Sequence, residues 1–416
     1  MLLELGSLAP RAGHLLALLF TEWTVVAIAA AAMLWVANER LQGVRARESA
    51  LLVASLAVLA WFASVPVAAA WLLYALLFYA AAEFAQPRWL AAALVALLLA
   101  AQVILPIVAI APLGERGRHA REFTAFATNM AFLRFYAYAW DRWRRGTQRE
   151  PPARFLLAMF FFPTFVNGPV EVPRLLESGW VWGDPVAQRR RIPSGLGRVL
   201  AGIAKLGLVG LVFAPGWTAA LAGGAEAPTG RIWLWGALLY AWFYLSFSAW
   251  SDVAIGLGAL CGRRVQENFA YPWVAIDPAD FWRRWHISLG LWLRDYVYIP
   301  LGGNRRHRGA NVLATFGVSA AWHIWGSVKL LGLGFFGPQA WGGFLLWGLL
   351  NAVGVMAGRP LDRVVPATSP ARKAVRGVAT FLFASLCWIP FFLPPGVPLR
   401  AGLTMLFRMV WPAGIW

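Results

Sequence analysis

Charged residues are scarce in this 416-residue sequence: they make up 13% of it, against 60% hydrophobic residues, and the mean hydropathy is +0.60. Soluble domains are about a quarter charged and about 45–50% apolar. The composition therefore excludes an ordinary soluble domain and predicts an all-α polytopic membrane protein. Because each crossing takes about 20 residues, the apolar segments allow roughly nine to eleven spans.

Cysteine is also scarce. The two cysteines, Cys261 and Cys387, lie in or beside apolar segments, and they form neither a metal-site nor a redox spacing and imply no disulfide. No glycine-rich phosphate loop with its lysine occurs, which argues against an ATP-driven pump. No G-x-S-x-G nucleophile motif occurs either, which argues against a serine hydrolase of that type.

Acidic residues are outnumbered, with 19 Asp and Glu against 37 Lys and Arg, so the formal net charge is +18. Nearly all of this charge comes from arginines in short segments between apolar ones. Such a distribution is typical of positive-inside topology and of contact with anionic lipid headgroups, and it does not indicate a nucleic-acid partner. Residues 38–48 form the first basic segment, so we expect it in the cytoplasm and the N-terminus outside.

Apolar segments are what the sequence has in abundance. The first, at residues 14–37, lacks a preceding basic stretch and an obvious cleavage site, so we expect a retained span and no cleaved signal peptide. Residues 50–82 are interrupted at Ser64-Val65-Pro66 and are predicted to form two short spans. Residues 123–140 lie between two basic segments and are expected to be interfacial or re-entrant. Further spans are predicted at residues 89–113, 199–221, 232–260, 311–325, 341–357 and 375–392, with a last short one from 399.

The apolar segment at residues 155–172 is broken midway by Pro163, Gly168 and Pro169. Broken backbone at membrane depth is tolerated only where it is buried in protein or lines a cavity. We therefore predict that this segment forms a wall of an internal tunnel. Glu171, close to the break, is expected to be an ordinary partner of Arg174 or a solvated loop residue.

The segment at residues 277–303, DPADFWRRWHISLGLWLRDYVYIPLGG, is polar, basic and aromatic in an otherwise apolar chain. Asp277 is placed to cap a helix, and Pro278 suits the first helical turn. Pro300 and the following glycines are expected to end that helix. Apolar side chains at spacings of three and four are predicted to share one helix face: Phe281, Trp285, Leu289, Trp292 and Tyr296.

Ionisable residues inside or beside apolar segments are candidates for function because they are costly at membrane depth. Asp252 lies within the 232–260 segment and is expected to face the interior of a helical bundle. His323 lies between Trp322 and Trp325, and His286 lies in the central segment. These two histidines are the candidate active site.

Burial should keep the imidazole of His323 neutral, and a neutral imidazole can take a proton from a hydroxyl nucleophile. His286 would then orient the acceptor or stabilise a developing oxyanion. Alternatives remain open at this point. A lone buried histidine is often a packing residue, the two could be proton relays of a transporter, and two histidines without nearby Cys or carboxylate ligands are few for zinc.

Four segments of the sequence resemble the membrane-bound O-acyltransferase superfamily, and in particular its bacterial branch of alginate O-acetyltransferase-like and D-alanyl-transferase-like proteins. The resemblance is strongest over residues 155–351, and it implies a single domain over residues 1–416. The segments that carry it are FFPTFVNGPVEVPRLL (161–176), FSAWSDVAIGLG (247–258), ENFAYPW (267–273) and FWRRWHISLGLWLRDYVYIPLGGNRR (281–306).

The resemblance also implies roles for particular residues. His323 matches the catalytic histidine, although Ile324 stands where the family has glycine, and His286 matches the second polar residue of the site. Four residues that lie in matching motifs are assigned supporting roles: Asp252, Arg294, Asp295 and Asn304. Gly168 and Pro169, at the backbone break, are expected to line the channel. Arg305, Arg306 and Arg308 are expected to face the cytoplasm near the donor's entry, with simple positive-inside anchoring as the alternative.

The activity implied by the resemblance is transfer of an acyl group, acetyl first, from a cytoplasmic thioester to a hydroxyl of an extracytoplasmic polysaccharide or of a periplasmic partner that modifies it. The donor would be acetyl-CoA or an acyl-carrier thioester, with no metal and no bound cofactor. The implied fold is a curved bundle with a central tunnel in a bacterial inner membrane. D-alanyl transfer from a carrier protein is the alternative, and a transporter or flippase of a lipid-linked glycan is a second hypothesis.

Overall fold

A computed structural model describes residues 41, 43–109, 117–165, 168–172, 185–209, 227–331, 338–364, 366–392 and 399–411. These residues are mainly α-helical and contain no β-strand. The predicted all-α class is therefore confirmed. The expected span at residues 14–37 lies outside the described residues, and the one at residues 199–221 is described only as far as 209.

The described residues up to 209 form seven helices, and a π-helical turn at Asp141–Arg145 follows the fourth of them. The predicted interruption at Ser64-Val65-Pro66 is confirmed, because Ser64 has a φ of 86° and separates two helices. The helices are α1 (Val44–Ala63), α2 (Val65–Phe84), α3 (Arg88–Ala109), α4 (Gly117–Trp140), α5 (Pro152–Phe160), α6 (Phe162–Phe165) and α7 (Pro185–Leu208).

The later described residues contain one long helix, then two short ones, then a run of longer ones. A π-helical turn at Arg294–Tyr298 follows the second short helix. The helices are α8 (Thr229–Leu260), α9 (Pro278–Arg284), α10 (Ile287–Leu293), α11 (Arg308–Leu331), α12 (Pro338–Val364), α13 (Pro370–Phe391) and α14 (Leu399–Val410).

Within the described residues, five helical segments are long and apolar enough to cross a membrane: Val44–Ala63, Val65–Phe84, Thr229–Leu260, Trp341–Gly358 and Pro370–Phe391. Each is at least 18 residues long, close to the 20 or so that a crossing takes. The chain is therefore a multi-pass membrane protein.

The described residues divide into two compact units. The N-terminal unit lies within Leu18–Ile203 and Trp250–Glu267, and the C-terminal unit lies within Ala204–Ala249 and Asn268–Trp416. Helix α8 contributes its first part to the C-terminal unit and its end to the N-terminal unit. The expectation of a single domain over residues 1–416 stays a prediction.

Within the N-terminal unit, the end of α8 packs closely against α7. A Cβ added to Gly256 would lie 2.6 Å from the carbonyl oxygen of Gly195, and one added to Gly195 would lie 2.9 Å from the carbonyl oxygen of Gly256. Real Cβ atoms essentially never approach other atoms so closely. Backbone contact between these two helices therefore explains why glycine stands at both positions.

The broken segment of the N-terminal unit is held by a buried arginine. The helical path is interrupted at Phe161, between α5 and α6. Arg134, which is 0% exposed, donates to the carbonyl oxygens of Ala158, Met159 and Thr164 and to the Thr164 hydroxyl. The carbonyls that the break would leave without partners are thus satisfied by one guanidinium, as backbone at membrane depth requires.

The expectation that Glu171 is a solvated loop residue is wrong. Its carboxylate is buried and pairs with the buried guanidinium of Arg263 at 3.1 Å, while Arg174 lies outside the described residues. The Arg263 guanidinium also lies over the Phe161 ring, 5.3 Å from its centroid. Glu171 is therefore an internal ion-pair partner, and the expected pairing with Arg174 stays a prediction.

Candidate active site

The segment that carries His286 begins as predicted. The Asp277 carboxylate caps α9 by accepting a 2.7 Å hydrogen bond from the Asp280 N–H, and Pro278 occupies the first helical position. The buried guanidinium of Arg376, on α13, donates to the Ile276 carbonyl at 3.1 Å and lies 3.5 Å from the Asp277 carboxylate. The cap is therefore anchored to a neighbouring helix of the C-terminal unit.

The predicted continuous helix from Asp277 to Pro300 is wrong. The helix ends at Arg284, and a new one starts at Ile287, because His286 adopts a left-handed conformation with φ 44° and ψ 52°. The five apolar residues predicted to share one face are nevertheless all buried: Phe281, Trp285, Leu289, Trp292 and Tyr296. The helical periodicity thus located the buried face but not the break in the backbone.

The break is held by the preceding segment, whose residues replace the missing helical hydrogen bonds. The Ala270 N–H donates to the Arg284 carbonyl at 3.0 Å, and the Ile287 N–H donates to the Asn268 carbonyl at 2.9 Å. The Arg284 side chain donates in return to the Ala270 carbonyl at 3.2 Å. Backbone groups freed at His286 are therefore satisfied by a segment about 15 to 20 residues upstream.

The Asn268 side chain fixes the imidazole of His286. Its Oδ1 atom accepts from the Ser288 N–H at 3.3 Å and from the Ser288 hydroxyl at 2.8 Å, and it lies 3.1 Å from Nδ1 of His286. A backbone N–H can only donate, so this atom is the amide oxygen. Nδ1 of His286 must then carry the proton and donate it, which leaves the lone pair on Nε2.

His286 lies in an apolar environment. The residue is 9% exposed, and the Phe247 ring lies perpendicular to the imidazole with 4.6 Å between centroids. Burial lowers the pKa of His286 below its ordinary value, and the nearby imidazole of His323 lowers it further. His286 is therefore neutral at physiological pH.

The tautomer of His323 is also determined by its hydrogen bond. Nδ1 lies 2.7 Å from the Ser319 carbonyl oxygen, one turn earlier on α11. Because a carbonyl only accepts, Nδ1 carries the proton, and in the neutral ring Nε2 carries the lone pair. The imidazole packs against Trp347, Phe391 and Phe344, with ring centroids at 5.3, 5.2 and 6.4 Å.

An aromatic cluster surrounds the two histidines in the C-terminal unit. Trp285, beside His286 in sequence, lies 5.0 Å from Trp388, and Trp388 lies 5.3 Å from Phe391, which contacts His323. The indole N–H of Trp282 donates to the Asn351 amide oxygen at 3.1 Å. The cluster therefore links the two histidines through packed rings.

The structure thus brings the two candidate catalytic residues, His286 and His323, close enough for their imidazoles to interact electrostatically. Both are held in the Nδ1–H tautomer, so each offers a basic Nε2 atom. Such atoms can accept a proton or a hydrogen bond. They cannot donate a hydrogen bond to an oxyanion in this state, so the geometry favours base and orienting roles over oxyanion stabilisation.

Asp252, a predicted supporting residue, belongs to the N-terminal unit. Its carboxylate pairs with Nε of Arg198 at 2.9 Å, and the same arginine also pairs with Glu267. These contacts hold α7 to the end of α8 and to the segment that follows it, which is a structural role. A part in the chemistry stays a prediction for Asp252.

The other supporting residues lie at the end of the central segment in the C-terminal unit. Arg294 and Asp295 pair with each other at 2.7 Å inside the π-helical turn. The side-chain oxygen of Asn304 accepts from the Tyr298 hydroxyl at 2.9 Å, and Asn304 is exposed. These contacts shape the turn that leads to α11, and the supporting roles stay predictions.

The predicted donor-side arginines lie in that turn. Arg305 and Arg306 are exposed, and Arg308 is half-buried at the start of α11. The turn itself is fixed by Asn311, whose amide donates to the carbonyls of Gly303 at 2.9 Å and Arg306 at 2.6 Å. The guanidinium groups are therefore presented on an ordered loop, and a role in donor binding stays a prediction.

The predicted channel-lining residues, Gly168 and Pro169, are both buried in the N-terminal unit. Gly168 has a φ of 130°, and a Cβ added to it would lie 2.7 Å from Cβ of Ala254. Close packing and backbone conformation therefore account for the glycine. Their role as part of a tunnel wall stays a prediction.

Among residues whose side chains are described, no group of three or more His, Cys, Asp or Glu could hold a metal ion.

Two buried polar residues with internal partners were missed by the sequence interpretation. Asn268 was part of a recognised motif but was given no role, and Arg134 was treated only as one of many basic residues. Asn268 lies 18 residues from His286, in a different segment from the two short helices that flank His286, so no local pattern connects them. Arg134 does carry a signal, because an arginine within the apolar segment 123–140 must find internal partners.

Comparison with known proteins points to one family. Residues 148–337 match the model of MBOAT, the membrane-bound O-acyltransferase family. Residues 148–337 carry an MBOAT domain. The matched residues include the two candidate catalytic histidines, His286 and His323, as well as Asn268 and the break in the helix at His286.

Three relatives show the range of proteins similar to this MBOAT domain. A probable alginate O-acetylase AlgI of Pseudomonas putida is 39% identical over 168 residues, which are 39% of this chain and 31% of that protein. The peptidoglycan O-acetyltransferase of Helicobacter pylori is 34% identical over 154 residues, 36% of this chain and 26% of that protein. The teichoic acid D-alanyltransferase of Bacillus subtilis is 26% identical over 164 residues, 38% of this chain and 40% of that protein. The chain therefore spans less than half the length of each.

Proposed function

We propose that this protein is a membrane-embedded O-acyltransferase that moves an acyl group, most simply acetyl, from a thioester to a hydroxyl of an extracytoplasmic polysaccharide or of a partner protein that modifies one. The observation that carries the proposal is the pair of histidines inside the MBOAT domain, each with Nδ1 hydrogen-bonded to an uncharged oxygen, so that the neutral ring has Nε2 as its base. The relatives are named for transfer to alginate, peptidoglycan and teichoic acid, which supports a cell-envelope acceptor.

In the proposed reaction, Nε2 of His323 takes the proton of the acceptor hydroxyl while the oxygen of that hydroxyl attacks the thioester carbonyl. The carbon–sulfur bond then breaks, and the thiolate recovers the proton from His323, so the imidazole ends neutral. General-base assistance of this kind contributes about 10²–10⁴-fold. His286 orients the acceptor by accepting a hydrogen bond at its own Nε2 atom.

The donor is proposed to be cytoplasmic acetyl-CoA, and the exposed arginines Arg305 and Arg306 are proposed to bind its phosphates. The charged part of such a donor cannot cheaply cross hydrocarbon. Only its acyl end would therefore enter a protein-enclosed passage that meets the acceptor at the two histidines. The bacterial inner membrane is the proposed location, since the donor is cytoplasmic and the acceptor polymer lies outside.

The test is turnover of a labelled thioester by the purified protein in detergent, with and without an envelope polysaccharide. Acceptor-dependent transfer of the label is expected, and its loss in His323→Gln would assign it to this site. A glycan transporter that uses its histidines as proton relays would not consume the thioester. Absence of any turnover by folded protein with both acetyl-CoA and acyl-carrier donors would contradict the proposal.

D-alanyl transfer from a carrier protein is the second candidate, favoured by the similarity to a teichoic acid D-alanyltransferase. The same assay separates the two. Acetyl transfer predicts label from acetyl-CoA on a sugar hydroxyl, whereas D-alanyl transfer predicts label only from a D-alanyl carrier thioester.

A further inference from the structure

Asn268 is a buried polar residue that makes several hydrogen-bonding contacts beside His286. The residue is 0% exposed. Its Oδ1 atom lies within hydrogen-bonding distance of Nδ1 of His286, the Ser288 hydroxyl and the Ser288 N–H, and its carbonyl accepts from the Ile287 N–H. One residue therefore contacts both the imidazole and the backbone on the far side of the left-handed turn.

We propose that Asn268 is a positioning residue that sets the tautomer and the orientation of His286, so that Nε2 faces the substrate as a base. The effect of Asn268 on turnover rests on the proposed O-acyltransferase function. Its effect on the tautomer of His286 does not depend on that function. Asn268 touches no reacting atom in this scheme and acts only through His286.

The choice of an amide over a carboxylate has a physical consequence. An amide oxygen accepts the Nδ1 proton without adding negative charge, so it fixes the tautomer while leaving the imidazole neutral. A carboxylate at the same place would stabilise the imidazolium and raise the pKa of His286. The titratable group that acts on His286 among the described residues is His323, and that imidazole works in the opposite direction.

The orientation of the amide is itself determined. The Ser288 N–H can only donate, so it selects Oδ1 as the atom on that side. A flipped amide would place an NH₂ group against that N–H and would require His286 to present its lone pair at Nδ1. Ser288 therefore helps to hold Asn268 as Asn268 holds His286.

The direct experiment is NMR of the intact protein in detergent with ¹⁵N-labelled histidine, which reads the tautomer from two-bond ¹H–¹⁵N couplings. The chain has five histidines, so the His286 signals are assigned by their loss in His286→Asn. The proposal expects wild-type His286 as a neutral ring protonated at Nδ1. A ring protonated at Nε2 would overturn it, and no variant of Asn268 needs to fold for this test.

The variant Asn268→Asp extends the test to activity. It keeps an oxygen at the same place, and it should convert His286 to the imidazolium over a wider pH range. The acid limb of the pH profile of kcat should therefore move to higher pH, by a unit or more, while KM for the donor stays unchanged. An unshifted limb with unshifted His286 signals in folded Asn268→Asp protein would overturn the proposal.

Ser288→Ala is the matched control, since it removes a hydrogen bond to the same oxygen and leaves both Asn268 and His286 in place. A purely structural role for this network predicts equal effects of Asn268→Asp and Ser288→Ala on stability, and no shift of the acid limb or of the His286 signals in either variant. If the tautomer result holds but no thioester is turned over, the proposed function fails and the positioning role stands. If the thioester is turned over but His286 is protonated at Nε2, the proposed function stands and the positioning role of Asn268 fails.

Discussion

Replacing His323 by glutamine tests the general base while retaining a polar side chain of similar length. Because Nδ1 is occupied by the Ser319 carbonyl, Nε2 is the one atom of His323 that can take the acceptor's proton. Glutamine has no basic nitrogen. The rate of acyl transfer should therefore fall by about 10²–10⁴-fold, which corresponds to about 2.7–5.4 kcal/mol of transition-state stabilisation.

A loss of that size must be separated from a loss of folding. The imidazole contacts Phe344, Trp347 and Phe391, and aromatic contacts of this kind are worth about 0.5–1.5 kcal/mol each. His323→Gln is therefore expected to unfold at a lower temperature, which tryptophan fluorescence in detergent measures. Phe344→Leu serves as a packing control, since it removes one of these ring contacts and leaves the imidazole in place.

The assay is transfer of labelled acetyl from thioester to envelope polysaccharide, measured per folded molecule below the unfolding temperature of each variant. His307→Asn is a second control, because His307 is exposed and its φ of 48° is one that asparagine tolerates. Folded His323→Gln protein that keeps activity within about tenfold of wild type would refute the general-base role.

Four further outcomes are expected. His286→Ala should abolish transfer while His286→Asn keeps part of it, since asparagine tolerates the left-handed turn and offers a hydrogen-bonding group. Equal losses of transfer in the two variants would mean that His286 itself moves a proton. Because burial lowers the pKa of His286 in the folded state, acidification from pH 7 to 5 should destabilise wild type more than His286→Asn in thermal unfolding, and equal loss would contradict this. Arg305→Gln and Arg306→Gln should raise KM for acetyl-CoA with little change in kcat. Labelling of a cysteine placed at position 306 by an impermeant reagent from outside the cell would contradict the expected cytoplasmic location of this loop. Gly168→Leu should lower the unfolding temperature, because its φ of 130° and the Ala254 side chain leave no room for a Cβ, and an unchanged value would argue against this packing.

What the sequence predicted correctly was local. The Asp277 cap, the first-turn Pro278 and the interruption at Ser64 each depend on residues within a few positions of one another. The break at His286 was not predicted, because it depends on hydrogen bonds that Ile287 and Ser288 donate to Asn268, 18 residues upstream. Helical periodicity in the central segment gave no sign of the break, since the apolar residues on both sides of it are buried.

The buried charged residues of the N-terminal unit also could not be identified from the sequence. Arg134 and Arg263 are each 0% exposed, yet the sequence presents them as two of many arginines. Their partners are the carbonyls at the end of α5 and the Glu171 carboxylate. These partners lie 24 to 92 residues away, so only the fold reveals which arginines are internal.

The choice of hydrogen-bond partner at each histidine bears on how the proton moves. Nδ1 of His286 donates to an amide oxygen and Nδ1 of His323 donates to a backbone carbonyl, and both acceptors are uncharged. A carboxylate at either place would stabilise an imidazolium after proton transfer. Neutral acceptors fix the tautomer without that stabilisation, so a proton taken by Nε2 of His323 is held weakly. In the proposed reaction, the thiolate that leaves the donor is then the better base, and its protonation would return both imidazoles to the neutral state after each turnover.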